Sequence, residues 1–414
     1  MSDTLREKPT HAPMDQFRSK DGELIIGNIP LRRLAARVGQ TPFYAYDREL
    51  LTQRVAALRA ALPAGIKIHY AMKANPMPAL VDHMARLVDG IDVASANELK
   101  VALDSGADPH EISFAGPGKR HEELRQAVAA GILINIESFR EITELRAIRQ
   151  ATGWQVRVAV RVNPDFELKS SGMKMGGGPK QFGIDAEQVP QALAEIHSAG
   201  LSFEGFHLFA GSQNLRAEAI IEAQRKSYEL ALRLAEHAQT PVKFLNLGGG
   251  FGIPYFPGER RLDLTGIAEN LGVIQADART KLPDAQIVIE LGRYLVGEAG
   301  IYVCRILDKK VSRNHCFLVT DGGLHHHLSA SGNFGQVIRK NYPVTIGDRM
   351  DQPLTDPVSV VGPLCTPLDL LAEKMALPEC DPDNLVVIFQ SGAYGATASP
   401  RGFLSHPDLV EILL

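Results

Sequence analysis

The sequence predicts an α/β fold, a (β/α)8 barrel of the TIM type, joined to a C-terminal all-β barrel domain. Three observations carry this reading. Eight short apolar runs recur between residues 45 and 295, at 66–71, 90–94, 111–115, 132–136, 155–162, 203–209, 243–247 and 286–290. The stretches between them, such as 96–105, 121–130, 138–150, 187–199 and 216–238, carry apolar residues at helical spacing. After about residue 300 the apolar runs continue and the helical stretches stop. Short apolar runs bounded by turn residues read as strands. Eight strands, each separated from the next by a helix, suit a closed barrel better than an open sheet.

At 414 residues the chain is long for one core, and two domains are expected. Residues 1–22 are polar, rich in proline and charge, and read as a flexible arm. Residues 23–45 carry strand-like runs, Glu23-Leu24-Ile25-Ile26 and the start of Phe43-Tyr44-Ala45-Tyr46, expected to pack with the β domain. The barrel domain spans 46–298. Its first helix starts at Asp47, a good N-cap, and Leu51, Val55, Leu58 and Leu62 follow at helical spacing before Pro63. The β domain spans 299–414, with strands at Ile301–Leu307, Cys316–Thr320, Val358–Val361 and Asn384–Phe389.

Composition narrows the function classes. Hydrophobic residues make up 45% and charged residues 22%, ordinary for a globular protein, and the net charge of −4 offers no polyanion-binding surface. No nucleic-acid partner is expected. No apolar run approaches the roughly 20 residues of a membrane span, and the start Met1-Ser2-Asp3-Thr4-Leu5-Arg6 lacks a signal-peptide apolar region. A cytoplasmic protein with free Cys304, Cys316, Cys365 and Cys380 is expected.

Barrel enzymes place their chemistry at the C-terminal ends of the strands. Here those ends carry Lys73, Asp92 with Ser95, Arg161 with Asn163, His207 to Ser212, Gly248 to Gly250, and Glu290 with Arg293. Lys73 stands in Tyr70-Ala71-Met72-Lys73-Ala74-Asn75-Pro76, between small residues that leave room beside it. A desolvated lysine can form a Schiff base, and the plain alternative is a surface lysine in a loop. Leu247-Gly248-Gly249-Gly250-Phe251-Gly252 exposes backbone N–H groups, which suits a phosphate cradle. Gly292 and Arg293 follow strand eight, where barrels often complete such a cradle, and Ser212 offers a hydroxyl. Glu290 is either a carboxylate facing a heteroaromatic nitrogen or a structural partner of Arg293 or Arg161. Lysine, cradle and carboxylate on one rim point to pyridoxal 5'-phosphate. A carboxylate that keeps the pyridine nitrogen protonated makes the ring an electron sink, which favours loss of CO2 from Cα.

Several ordered motifs resemble a known family, the fold-type III pyridoxal-phosphate decarboxylases, which include the diaminopimelate, ornithine and arginine decarboxylases. The motifs are Tyr70-Ala71-Met72-Lys73-Ala74-Asn75, Asp92-Val93-Ala94-Ser95, Gly248-Gly249-Gly250-Phe251-Gly252, Glu290-Leu291-Gly292-Arg293-Tyr294, Gly362-Pro363-Leu364-Cys365 and Gly392-Ala393-Tyr394-Gly395. The resemblance runs from about Phe43 to the end. It implies an alanine-racemase-like barrel and a second β-barrel domain. It implies that Lys73 holds the cofactor and that Glu290 meets the pyridine nitrogen. Asp92, Arg161, His207, Phe209, Ser212, Gly249, Gly250, Gly292, Arg293 and Tyr394 are the further candidates for cofactor contacts. Cys365 is expected to come from the partner subunit of a homodimer with shared active sites and to protonate Cα. Cys365, Thr366 and Asp369 are the substrate-binding candidates.

Two positions depart from the family pattern. A cofactor-stacking histidine usually stands where this chain has Phe209, in Phe206-His207-Leu208-Phe209-Ala210-Gly211-Ser212. An aromatic face still stacks. His207, two residues earlier on the same strand face, is either a site residue or a satisfied core histidine. The residue after the cysteine is usually acidic and holds the distal ammonium of the substrate. Here it is Thr366, so the substrate is expected to lack a free distal amine. The run Arg161-Val162-Asn163-Pro164-Asp165-Phe166-Glu167-Leu168-Lys169, with Gly176-Gly177-Gly178-Pro179-Lys180-Gln181-Phe182-Gly183, looks closest to a subgroup associated with exosortase and exopolysaccharide systems. That subgroup also resembles enzymes acting on glutamate tethered to an acyl carrier protein. A small amino acid, free or carrier-bound, is the expected substrate. The alternatives are diaminopimelate decarboxylase proper, a racemase and a non-catalytic binding protein on the same fold. Gly176–Gly178 reads as a mobile loop near the cofactor. His325-His326-His327, taken as a strand, would not converge on one metal, and no metal is expected.

Overall fold

The computed structural model describes residues 9–167, 173–174 and 176–414. Two compact units result. One holds 52–252 and 262–295, and the other holds the described residues up to 51 together with 253–261 and 296–414. The sequence reading runs the barrel unbroken from 46 to 298, whereas 253–261 falls within the β-rich unit.

In the first unit eight parallel strands close into a ring: β1 Lys67–Ala71, β2 Gly90–Val93, β3 Ile112–Phe114, β4 Leu133–Ile136, β5 Arg157–Asn163, β6 Ser202–Leu208, β7 Phe244–Gly249 and β8 Gln286–Leu291. Each pairs with the next, and β8 pairs with β1. Every strand end lies within two residues of its expected run. The helices Ala96–Asp104 and Phe139–Thr152 start where Ser95 and Ser138 accept the N–H groups of Glu98 (3.1 Å) and Glu141 (3.4 Å). Such caps satisfy donors that the first helical turn leaves unpaired.

Register decides what faces inward, because partners across a ladder point to the same side. His207 pairs with Asn246, Asn246 with Val288, and Glu290 with His69. Ala71 pairs with Asp92, Asp92 with Ser113, Ser113 with Leu133, Asn135 with Ala159, and Arg161 with His207. Counting by twos along each strand puts His69, Asp92, Ser113, Asn135, Arg161, His207, Asn246 and Glu290 on one common face. The His207–Glu290 contact reaches across β7, which places that face inside the ring. Each strand thus contributes a polar residue to an interior that barrels usually fill with branched apolar side chains.

The second unit is built on an eight-stranded sheet. Its path runs β11 Val344–Ile346, β14 Leu385–Ile388, β9 Gly300–Ser312, β10 His315–Thr320, β12 Val358–Val361 and β13 Leu370–Met375. The strand Phe43–Tyr46 joins antiparallel to β9, and β15 Val410–Leu413 lies parallel to it. Leu24, Leu34, Phe43, Ile301, Val303 and Val387 belong to the core of this unit. Among the described residues its strands pair along a path from β11 to β13, and the unit is the separate, mostly-β domain expected after the barrel. No described helix is long and apolar enough to cross a membrane.

One ion pair in the first unit is wholly buried. Lys119 Nζ donates to the carbonyls of Gly116 (2.8 Å) and Asn135 (2.7 Å), and it lies 3.2 Å from a Glu141 carboxylate oxygen. Burial pulls the Lys119 pKa down against the charges of Glu141 and Glu137. Removing one partner leaves an uncompensated charge in the interior. Glu141→Leu is therefore expected to cost about 3–5 kcal/mol of stability in urea unfolding, whereas Lys119→Met with Glu141→Leu recovers most of it.

Candidate active site

The site grows from close approaches that only glycine permits. A Cβ on Gly250, whose φ is +72°, would lie 2.3 Å from the Gly211 carbonyl oxygen, and one on Gly249 would lie 2.2 Å from that of Glu290. The loops after β6 and β7 and the end of β8 therefore lie backbone against backbone. A Cβ on Gly292 would lie 2.9 Å from that of Ala74, which brings the end of β8 onto the turn after β1. Four neighbouring strand ends thus share one rim, and Ser212 and Gly250 come together on it. Ser212 itself sits in a two-residue strand paired with 173–174.

Lys73 lies in the single helical turn Met72–Ala74 after β1, exposed between two buried neighbours. Its Nζ stands 5.5 Å from the Phe209 ring centroid at the end of β6. The aromatic face that replaces the family's histidine is therefore beside the amine. Glu290 is buried, and its Oε2 accepts from His207 Nε2 at 3.0 Å. Burial alone would raise the Glu290 pKa. The His207 hydrogen bond and the nearby charges of His207, Lys73 and Arg161 overcome it and hold the carboxyl well below its usual range. Of the two readings of His207, the partner is the site carboxylate.

Arg161 is not that carboxylate's partner. Its Nη1 donates to Glu137 Oε1 at 2.7 Å, and its guanidinium lies 4.9 Å from the Phe182 ring. Glu137 also accepts from the N–H groups of Gly116 and Gly183. Burial works to raise the Glu137 pKa, and the charges of Arg161 and Lys119 lower it on balance. Asp92 Oδ1 accepts from Ser113 Oγ at 2.6 Å and lies 3.1 Å from His69 Nδ1. Asn163 holds the Gly176–Gly178 loop, donating to the Gly178 carbonyl (2.9 Å) and accepting from Gly177 N–H (3.0 Å). Leu168 and Lys169 of the subgroup motif lie outside the described residues, as do residues 1–8 of the expected arm. The sequence reading missed Glu137, Lys119 and His69. A carboxylate straight after the apolar run of β4 was the available signal for Glu137.

The remaining candidates stand on the other unit. Cys365 is exposed in the loop between β12 and β13. Thr366 is half-buried, and its backbone carbonyl accepts from Asp369 N–H at 3.2 Å. Asp369 is buried, and its carboxylate accepts from Leu324 N–H (2.6 Å) and Leu364 N–H (2.8 Å). Burial raises its pKa against those hydrogen bonds. Tyr394 takes a φ of +53°, and its carbonyl accepts from Ser329 Oγ at 2.9 Å. The three consecutive histidines do not form a strand, and His325 and His326 lie in a turn. Tyr44 donates to the His326 carbonyl, His326 Nε2 lies 3.1 Å from the Pro407 carbonyl, and His327 Nε2 lies 2.9 Å from Ser391 Oγ. Burial lowers the pKa of His327 to about 3.

The rim fits pyridoxal phosphate on three counts: a side-chain-free cradle at Gly249 and Gly250, an amine beside an aromatic face, and a carboxylate kept ionised in a buried place. Comparison with known proteins agrees. Residues 48–297 match the family described as "Pyridoxal-dependent decarboxylase, pyridoxal binding domain". The L-glutamyl-[BtrI acyl-carrier protein] decarboxylase of Niallia circulans is 37% identical over 90% of this chain and 89% of its own. The 2-[(L-alanin-3-ylcarbamoyl)methyl]-2-hydroxybutanedioate decarboxylase of Staphylococcus aureus is 29% identical over 91% and 95%. The crystal structure of diaminopimelate decarboxylase from Helicobacter pylori, complexed with L-lysine, superposes with a TM-score of 0.79 at 29% identity, covering 92% and 94%. The chain belongs to the pyridoxal-dependent decarboxylases, and it is a carboxy-lyase that uses pyridoxal phosphate.

The Glu290–His207 pair predicts a pH effect. A carboxylate with a lowered folded pKa contributes stability above its ordinary value of about 4.3, and that stability is lost as pH falls through the lowered value. His207→Leu removes the donor. Its acid limb of activity and of cofactor retention is expected to move up by about one pH unit or more, read by cofactor absorbance across a pH series.

Proposed function

We propose that this enzyme removes the α-carboxylate of an amino acid whose distal end is not a free amine. A glutamyl group tethered to an acyl carrier protein is the first candidate. The observation that carries this is the loop after β12. Thr366 follows Cys365, and Asp369, the one carboxylate in 362–369, is occupied by the Leu324 and Leu364 N–H groups. A neutral hydroxyl does not offset the cost of desolvating an ammonium. The Niallia circulans relative is named for a carrier-bound glutamyl group, and the Staphylococcus aureus relative for a substrate ending in a hydroxybutanedioate. Neither name describes a distal amine.

In this reading Lys73 would hold the cofactor, with Phe209 against its ring and Ser212, Gly249, Gly250, Gly292, Arg293 and Tyr394 around its phosphate. Glu290, held ionised by His207, would keep a proton on the ring nitrogen. Bound there, pyridoxal phosphate supplies a sink for the electron pair left at Cα when CO2 departs. Asp92 and Arg161 would fix the groups around the ring through His69, Ser113 and Glu137. Cys365 of the partner subunit would give its thiol proton to Cα, which makes the working enzyme a homodimer. Asp369 would shape the loop that carries Cys365 and Thr366 rather than touch substrate.

Release of CO2 from a panel of free and carrier-bound amino acids tests the substrate. Glutamyl carrier protein is expected to exceed diaminopimelate, ornithine and lysine by about a hundredfold or more in kcat/KM. Family-normal turnover of a diamino acid would reinstate diaminopimelate decarboxylase proper. Thr366→Asp is expected to gain activity on diamino acids. Lys73→Ala should abolish the visible absorbance of the lysine-bound cofactor, and Cys365→Ala should lower kcat by about a hundredfold with cofactor still bound.

A further inference from the structure

The barrel interior contains more polar chemistry than the site above uses. Its eight inward polar residues come one from each strand. Among the described residues, five of their buried atoms have no hydrogen-bond partner: His69 Nε2, Asp92 Oδ2, Asn135 Oδ1, His207 Nδ1 and Asn246 Nδ2. Buried polar atoms in folded proteins are almost always paired, with protein or with ordered water. Five such atoms around one axis are places where ordered water would complete the pairing.

His69 is the link between the two ends of this interior. Its Nδ1 lies 3.1 Å from Asp92 Oδ1, and it is the register partner of Glu290 on β8. Asp92 is in turn the register partner of Ala71, two residues before Lys73. On the opposite side His69 lines a cavity of about 150 Å³, together with Ser113, Phe244 and Val288. That cavity is ringed by residues at or near the N-terminal ends of the strands, the face away from the cofactor rim. Every acidic group on the ring has a cationic partner. Lys67 pairs with Glu111, and Arg157 and Lys243 flank Glu204 at 3.8 and 3.7 Å. His110 is the other titratable group there, 3.4 Å from Arg157.

We propose that His69 is a positioning residue for the decarboxylation: hydrated through Nε2 from the N-terminal cavity, it donates through Nδ1 to Asp92 and orients that side chain below the cofactor rim. Two carboxylates on strands flanking β1 face one interior, and each must be compensated to stay charged in it. His207 compensates Glu290 from across β7. His69 stands on β1 between Glu290 and Asp92 and hydrogen-bonds Asp92, with Glu111 3.9 Å from its far nitrogen. The charges of Asp92, Glu111 and Glu290 raise its pKa against burial. A raised value extends the charged form to higher pH, and the charge is lost as pH rises through it. The cofactor rim is thereby coupled to the pH at the far mouth of the barrel.

The test uses the holoenzyme. His69→Gln keeps a donor toward Asp92 and cannot carry charge, and His69→Leu removes both. In wild type, cofactor absorbance is expected to change on the alkaline side as His69 loses its charge. His69→Gln should lose that titration and lower kcat by about tenfold at neutral pH, with KM within about twofold. His69→Leu should be worse in both. The absorbance arm needs no substrate, so a wrong substrate assignment leaves it intact. A high-resolution crystal structure is expected to place ordered water on His69 Nε2 and Asp92 Oδ2. A His69→Gln profile superimposable on wild type, or a dry interior, overturns the proposal. If neither variant retains cofactor, 15N NMR of the wild-type holoenzyme decides it, since a His69 Nδ1 that carries no proton would refute it.

Discussion

The hydrogen bond from His207 to Glu290 is the interaction on which the proposed chemistry of the rim depends. Glu290 ends an apolar strand and is buried, a place that by itself favours the neutral acid. A neutral acid would not keep a proton on a pyridine nitrogen. His207 changes the outcome by reaching across β7 at 3.0 Å, inside the ring. The register that pairs His207 with Asn246, and Glu290 with His69, is what aims both side chains at one interior. A slip of one residue on either strand would turn the pair outward.

The same register explains why the rim is made of glycine. Parallel strands that close a ring bring consecutive strand ends near one another, and side chains there would hold the loops apart. Gly249, Gly250 and Gly292 remove that spacing, so the cradle, the carboxylate and the Lys73 turn sit edge to edge. Arg161 and Asp92 are then held from below, by Glu137 and by the His69–Ser113 pair. A buried charge held by a second buried charge is costly to disturb on either side. Lys119 and Glu141 extend that dependence to the loop after β3.

Much of this was legible in the sequence. The eight barrel strands were, because each is a short apolar run bounded by turn residues. Lys73, Glu290 and the glycine run were, because their residue types stand out at strand ends. The interior partners were not. His69, Ser113, Asn135 and Asn246 lie within apolar runs, and alternation says only that they share a face with every second neighbour. Which face becomes the interior depends on pairing between strands far apart in sequence. Glu137 and Lys119 were missed because each reads locally as an ordinary loop charge. The short strand Val344–Ile346 and the edge strand Leu370–Met375 were missed because a few apolar residues beside Asn, Pro or Lys carry too weak a pattern.

The proposed choice of substrate rests on a different kind of constraint, the absence of spare charge. In the loop after β12, Gly362 and Gly323 leave room for one carboxylate, since a Cβ on either would lie 2.3 or 2.2 Å from an Asp369 oxygen. That carboxylate is caged there by two N–H groups and cannot turn to meet an ammonium without leaving both donors buried and unpaired. Thr366 brings a hydroxyl that suits an amide or thioester carbonyl as donor and meets a cation only weakly. The loop is therefore committed twice: by the residue that follows Cys365, and by the one acid nearby being used to fold it. A tethered acyl group needs no charge at its distal end, because its carrier supplies the binding energy that a diamino acid must find in an ion pair.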